Sequence, residues 1–203
     1  MDIRDKLLAA AANVYAEVGY RGATTRRIAQ VAGVNEVTLF RHFGSKDALV
    51  LEALRSASDR DADTRLPLEP ARPEQELLSW AKARSAKLHA SSSLLRKAMG
   101  EIEEHPEIAE CARRGRQSSM QDLSGYLERL RARGLATADF DPTSAATLLM
   151  GAIFAEAIGR DVVPELYRRG VDATLTQYVR LLLRAIGVKQ TRKAARTRRH
   201  RAA

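Results

Sequence analysis

The chain has 203 residues, 45% of them apolar and only 5% aromatic, with one cysteine and a formal net charge of +9. That is enough apolar material for one large or two small cores. A lone cysteine excludes a disulfide scaffold, and the absence of a basic, apolar, cleavable leader or of an apolar run near membrane-spanning length predicts an intracellular, cytoplasmic protein with no membrane partner. The charge is unevenly placed. Residues 1–55 hold eight basic and six acidic residues, 56–187 hold nineteen of each, and 188–203 hold seven basic and none acidic. The body is therefore neutral, and global charge alone is a poor argument for nucleic-acid binding.

Ala, Leu, Arg and Glu dominate, which predicts an all-α fold. Ile3, Leu7, Ala11, Val14 and Val18 recur at spacings of three and four, predicting an amphipathic first helix that Gly19 ends. Thr24 and Thr25 supply hydroxyls at the next helix start, Ile28, Ala29 and Val31 give a short apolar stripe, and Gly33 ends it. Asn35 caps a third helix through Phe43 in which Leu39 and Phe43 share one face. Two short helices joined by a Gly-containing turn form a helix-turn-helix pattern at about 25–44. The second of the pair leaves Glu36, Val37, Thr38, Phe40, Arg41 and His42 with little to bury, as in a helix presented to a DNA major groove. Gly44 stops it, and Ser45 caps a fourth helix with Leu49, Val50, Ala53, Leu54 and Ala57 on its buried side.

Pro67, Pro70 and Pro73 then forbid a continuing helix, and a domain boundary is expected near residue 60. Pro73 opens a fifth helix to about His89, a sixth runs from the 91–93 serines to Glu104, and a seventh from Pro106 to Arg133, weakened by Gly115 and Gly125. Asp141 with Pro142 starts an eighth, and a ninth spans Leu166 to Ile186 with Val171, Leu175, Tyr178, Leu182 and Ile186 in one stripe. Residues 188–203 read as a disordered basic tail. This gives three parts: 1–60, 61–187 and 188–203.

The text Gly19-Tyr20, Thr24-Thr25, Ile28-Ala29, Ala32-Gly33-Val34, Thr38-Leu39-Phe40, His42-Phe43 and Ser45-Lys46 resembles the tetracycline-repressor (TetR) family of bacterial transcriptional regulators. The specific match covers about residues 3–55. The resemblance implies a homodimer with three-helix DNA-binding heads, a connecting fourth helix and larger helical regulatory and dimerisation bodies. It further implies binding to a pseudo-palindromic double-stranded operator, usually as a repressor released by a small apolar or amphipathic effector. Thr25 and Arg26 match phosphate or base contacts, with Arg27 beside them. Glu36, Val37, Thr38 and Arg41 would face the groove, and His42 and Lys46 match phosphate-contacting positions. Three positions depart from the family pattern: Val37 stands for a smaller residue, Phe40 for a tyrosine whose hydroxyl reaches phosphate, and Asn35 for an equally good serine cap.

For the body the resemblance favours a four-helix dimer interface that includes Leu148, Ala152, Val171, Leu175, Tyr178 and Leu182. Trp80, Met99, Met120, Tyr126, Met150 and Phe154 suit an apolar effector pocket, although each alone is ordinary core material. Glu101 and His105 lie one turn apart, but Pro106 disturbs that geometry, so no metal or cofactor is expected. Cys111 beside Arg113 and Arg114 is compatible with a reactive or an inert thiol. The basic tail is compatible with solvated charge or with non-specific phosphate contacts. No catalytic constellation stands out, so the chain is expected not to be an enzyme. The competing class is an architectural protein that coats DNA through its tail without sequence preference.

Overall fold

The computed structural model describes residues 2–59 and 65–189, except the side chains of 57–59 and 110–116. Ala57, Cys111 and most of the basic tail therefore lie outside the described side chains or residues. Within the described residues the chain forms nine α-helices and one short 3-10 turn. The helices are α1 (Ile3–Gly22), α2 (Thr25–Ala32), α3 (Glu36–Phe43), α4 (Lys46–Asp59), α5 (Pro73–Ala90), α6 (Ser92–Glu101), α7 (Pro106–Ala132), α8 (Pro142–Gly159) and α9 (Val171–Ala185).

Local chemistry sets most boundaries. The Asp2 carboxylate accepts from the Ile3 N–H at 2.7 Å, and the Thr24 hydroxyl accepts from the Arg27 N–H at 3.3 Å. Asn35 Oδ1 accepts from the Val37 N–H at 3.0 Å, and Ser45 Oγ from the Ala48 N–H at 3.1 Å. Each bond satisfies one of the backbone donors a helix start leaves orphaned. Gly33 closes α2 in the left-handed region at φ 68°, where a Cβ would be strained.

Two apolar cores form. One joins α1, α2, α3 and α4 through Leu7, Ala11, Ile28, Leu39 and Leu49. Leu94 and Ala98 from α6 and Ile108 from α7 pack into the same cluster. The other joins α5, α7, α8 and α9 through Leu77, Trp80, Leu123, Tyr126, Leu127, Ile153 and Val179. The helical head is thus not closed by its own residues: the body supplies part of its core.

Several boundaries differ from expectation. Ile3 is exposed and Val18 only partly buried, so the α1 stripe is centred on Leu7, Ala11 and Val14. Gly19 interrupts α1 as expected, but one further turn follows it to Gly22. α6 stops at Glu101 rather than Glu104. α7 continues through Gly125, because burial of Leu123, Tyr126, Leu127 and Leu130 outweighs a glycine cost of about 1 kcal/mol. The last helix begins at Val171, since Val163 and Pro164 divert the chain into a 3-10 turn ending at an exposed Leu166. Val188 belongs to the body, not the tail: its N–H donates to the Leu183 carbonyl at 2.8 Å and its side chain packs on the second core. Finally, α8 does reach membrane-spanning length and apolarity, with mean hydropathy 1.2 over 18 residues. Here it packs against α5, α7 and α9.

Candidate nucleic-acid interface

α3 is held by very little. Leu39 is its one fully buried side chain, with Phe43 partly buried beside it. Four of its positions are therefore open to a ligand: Val37 is 72% exposed and Phe40 46%, and Arg41 and His42 are exposed. Two exposed apolar side chains on a two-turn helix are not explained by the chain's own core.

The residues expected to contact DNA do not all share one state. Arg26 and Arg41 are exposed, and Thr38 is partly buried. Thr25 does not cap α2, which is the role of Thr24. Instead its hydroxyl donates to Glu36 Oε2 at 2.8 Å, locking the start of α2 to the start of α3. Arg27 pairs with Glu17 at 3.0 Å, which draws its guanidinium back towards α1. Asn35 spends its side-chain oxygen on the α3 cap. Lys46 folds over the Tyr20 ring, 4.0 Å from its centroid, and donates to the Tyr20 carbonyl.

Tyr20 is the hub that the sequence does not advertise. Its hydroxyl donates to Asp47 on α4, and its ring lies 3.9 Å from the His105 ring. Its backbone N–H donates to both oxygens of Glu101 on α6, at 3.0 and 3.2 Å. Burial first, and then the bond to Asp47, pushes the Tyr20 phenol above its ordinary range, so it stays a protonated donor. Arg21 adds an exposed pair with Glu104 at 3.2 Å. The only sequence signal for this joint is Gly19-Tyr20, which reads equally well as a helix stop. Glu101 and His105, one turn apart, are thus engaged with the head.

In the body, Leu148 is exposed on α8 and Ala152 partly so. On α9, Val171 and Tyr178 are partly buried, but Leu175 and Leu182 lie in the subunit's own core. The outward apolar residue of α9 is instead Leu181, because the stripe at spacings of four and three turns towards α5 and α8. Of the six pocket candidates, Trp80 and Tyr126 are buried in the second core, Met120 and Met150 pack partly buried against that core, and Phe154 is partly buried. Met99 is 52% exposed on α6 and joins neither apolar cluster among the described residues. A charged group was missed: Glu156, fully buried on α8, accepts from His89 Nε2 at 2.9 Å and from Arg160 Nε.

The sequence profile of bacterial regulatory proteins of the tetR family matches residues 7–53. That of the AefR-like transcriptional repressor C-terminal domain matches 78–185. The chain is 39% identical over 61 residues to the transcriptional repressor AcnR of Corynebacterium efficiens, covering 30% of this chain and 32% of the relative. It is 45% identical over 56 residues to the repressor KstR2 of Rhodococcus jostii, covering 28% of each. The similarity therefore spans about a third of these relatives' length. Among solved structures, a TetR-family regulator from Mesorhizobium loti superposes with a TM-score of 0.76 at 22% identity, covering 92% of this chain and 97% of that one. GusR of Salmonella enterica superposes with a TM-score of 0.73 at 24% identity, covering 91% and 95%. At these identities the likeness is one of fold.

Proposed function

Because the chain belongs to the TetR family of bacterial regulators, we propose that it is a sequence-specific, ligand-responsive transcriptional repressor acting on a pseudo-palindromic operator. The observation that carries the reading is α3 itself. It is anchored by Leu39, capped by Asn35, braced to α2 by the Thr25–Glu36 bond, and otherwise turned outward. A helix so held suits the major groove. Val37 and Phe40 supply apolar surface for thymine methyl groups, and Arg41 a guanidinium for a base or phosphate. Arg26 and His42 flank it for the backbone. Arg27 and Lys46 are tied within the protein, so each exchanges an internal partner for phosphate or plays only a bracing part.

The same reading makes the protein a homodimer through the outer faces of α8 and α9. Leu148 and Leu181 are 73% and 59% exposed, with exposed Gly151 and Ala155 allowing close approach of a second α8. Such a partner would cover the exposed apolar side chain of Leu148 on α8. An effector acts by binding the conformation that does not hold DNA more tightly than the one that does. Trp80, Met120, Tyr126, Met150 and Phe154 remain the proposed apolar lining in the body, without Met99.

The deciding experiment is selection of binding sites from random duplexes at physiological salt, for the full chain and for a version ending at Gly187. Enrichment of one inverted repeat by both supports the operator-reading dimer, with a specificity ratio of ~10³ or more. Binding by the full chain alone, with no common site, would instead favour the tail-driven architectural protein.

A further inference from the structure

The two ends of the body are unlike each other. Ile108, near the start of α7, packs into the first core with residues of α1, α2 and α3, whereas Leu127 and Leu130 near its other end lie in the second core. The helix rises about 33 Å between Ile108 and Leu130. α9 runs towards that same far end. Its start meets the middle of α5 through the Asp172–Lys82 pair, and its later part meets the start of α5 through Arg180 and Glu74. The start of α5 in turn meets the far part of α7, where the Tyr126 hydroxyl donates to Glu76 at 2.6 Å. The chain is pinned there as it leaves α9. The Ala138 N–H donates to the Ile186 carbonyl at 3.2 Å, the Thr137 hydroxyl to the Gly187 carbonyl at 3.0 Å, and the Val188 N–H to the Leu183 carbonyl at 2.8 Å.

What leaves this pole is strongly positive. Between Lys189 and Arg201 the sequence has five arginines, two lysines and no acidic residue, and Arg184 is exposed in the last turn of α9. Residues 56–187 are charge-balanced, so the excess is gathered at one end. Guanidinium forks match phosphate oxygens in pairs. The only apolar side chains from 189 to 201 are Ala194 and Ala195, which leaves nothing to insert into a bilayer. Reach decides which phosphates these cations can meet. Arg201 stands thirteen residues beyond Val188. Fully extended that is about 45 Å, and a coil of that length averages about 20 Å end to end. DNA held by α3 lies outside the first core, at a distance of at least the order of the α7 span. Only a chain drawn nearly straight could touch it, at a large cost in conformational entropy.

We propose that residues 189–201 hold a second stretch of duplex DNA by its phosphates, at the pole opposite the reading helix. The protein then grips its operator at one end and a remote segment at the other, and so bridges the two. The inference rests on the repressor reading in one respect: the head supplies the first duplex. Once the operator is bound, other segments of the same DNA molecule stand at a high effective concentration, which favours duplex DNA over polyanions met by free diffusion. Phosphate contacts carry no sequence information, so the second segment needs no particular sequence.

The test compares the parent chain with a full-length variant in which the seven lysines and arginines from 189 to 201 are changed to glutamine. Val188 is kept, so the bonds that pin the end of α9 are untouched. Each protein is loaded onto an excess of immobilised operator, which occupies the heads, and a long labelled duplex of unrelated sequence is then offered at physiological salt. The parent should retain the label about tenfold or more above the variant, with a log–log salt slope reaching about −6 if all seven cations contribute. Operator affinity should agree between the two proteins within about twofold. A parallel loss of operator affinity in the variant would place these cations on the operator itself and overturn the proposal. No retention by the parent, or equal retention by the variant, would also overturn it. So would stronger charge-dependent capture of phosphatidylserine vesicles or of polyglutamate than of the duplex. Failure of the variant to select any operator from random duplexes would count against the repressor reading. The difference in duplex binding between parent and variant would still judge the basic segment.

Discussion

The Glu101 carboxylate at the end of α6 receives the backbone N–H of Tyr20 on both of its oxygens, at 3.0 and 3.2 Å. This approach depends on the residue before Tyr20. Gly19 sits at φ 73° and ψ −176°, a region essentially reserved for glycine. A Cβ built there would stand 2.3 Å from Glu101 Oε1. Head and body are joined at a point where the sequence permits no side chain.

Gly19→Ala should therefore destabilise the protein by about 1–3 kcal/mol, from backbone strain and the clash together. Glu101→Ala should cost about 1–3 kcal/mol by orphaning the Tyr20 N–H. The two losses should be less than additive, because removing the carboxylate also removes the clash. Urea unfolding of the four-member cycle reads this directly, and strict additivity would show that the two residues are not coupled.

Within the body, Glu156 is buried against Arg160 and His89, with the Ser85 hydroxyl 3.5 Å away. Arg160→Ala strands a buried carboxylate and should cost about 3–5 kcal/mol. The paired change Glu156→Met/Arg160→Met removes both charges and should cost much less. Equal destabilisation by the single and paired variants, measured by denaturant unfolding, would mean that packing rather than charge balance holds this corner.

On the proposed DNA face, Arg41→Ala should weaken operator binding and relax preference at one or two base pairs by about 1–3 kcal/mol. Arg26→Ala should weaken binding to all sequences alike and lower the salt slope by about one. Competition binding over a salt series separates the two. Unchanged affinity and preference in Arg41→Ala would remove that residue from the interface.

For the dimer, Leu148→Glu with Leu181→Glu places four like charges on the proposed α8–α9 contact while leaving each subunit's core intact. Sedimentation should show a shift from dimer to monomer, with operator affinity falling by at least tenfold. A dimer that survives the double change would move the interface elsewhere.

Acid stability provides a further check. Burial works against the charge of Glu76, but bonds from the Tyr126 hydroxyl and the Arg72 and Ala71 N–H groups outweigh burial. The folded-state pKa of Glu76 is lowered, so its contribution is fully present above the ordinary glutamate value and is lost as pH falls through the folded value. Glu76→Gln should therefore flatten the fall in stability below about pH 4.5 and cost stability at neutral pH. A pH–stability curve parallel to that of the parent chain would contradict the assignment.

Sequence by itself determined most of the helices and the helix-turn-helix pair. Apolar spacing of three and four, oxygen-bearing caps at Thr24, Asn35, Ser45 and Asp141, and glycines at 33 and 44 are local signals. Local hydrogen bonding and backbone sterics decode them without tertiary information. The outward face of α3 was legible for the same reason, since a two-turn helix with one good apolar anchor has nowhere else to put Val37, Phe40 and Arg41. Periodicity gives a helix its buried stripe but not the neighbour that covers it. That is why Leu175 and Leu182 belong to the subunit's own core while Leu181 faces out. Long-range pairing decided the rest. Glu101 meets Tyr20 across 81 residues, Glu156 meets His89 across 67, and Tyr126 meets Glu76 across 50. Each is a polar group whose partner is chosen by how helices stack, and the head–body joint exists only once they have stacked.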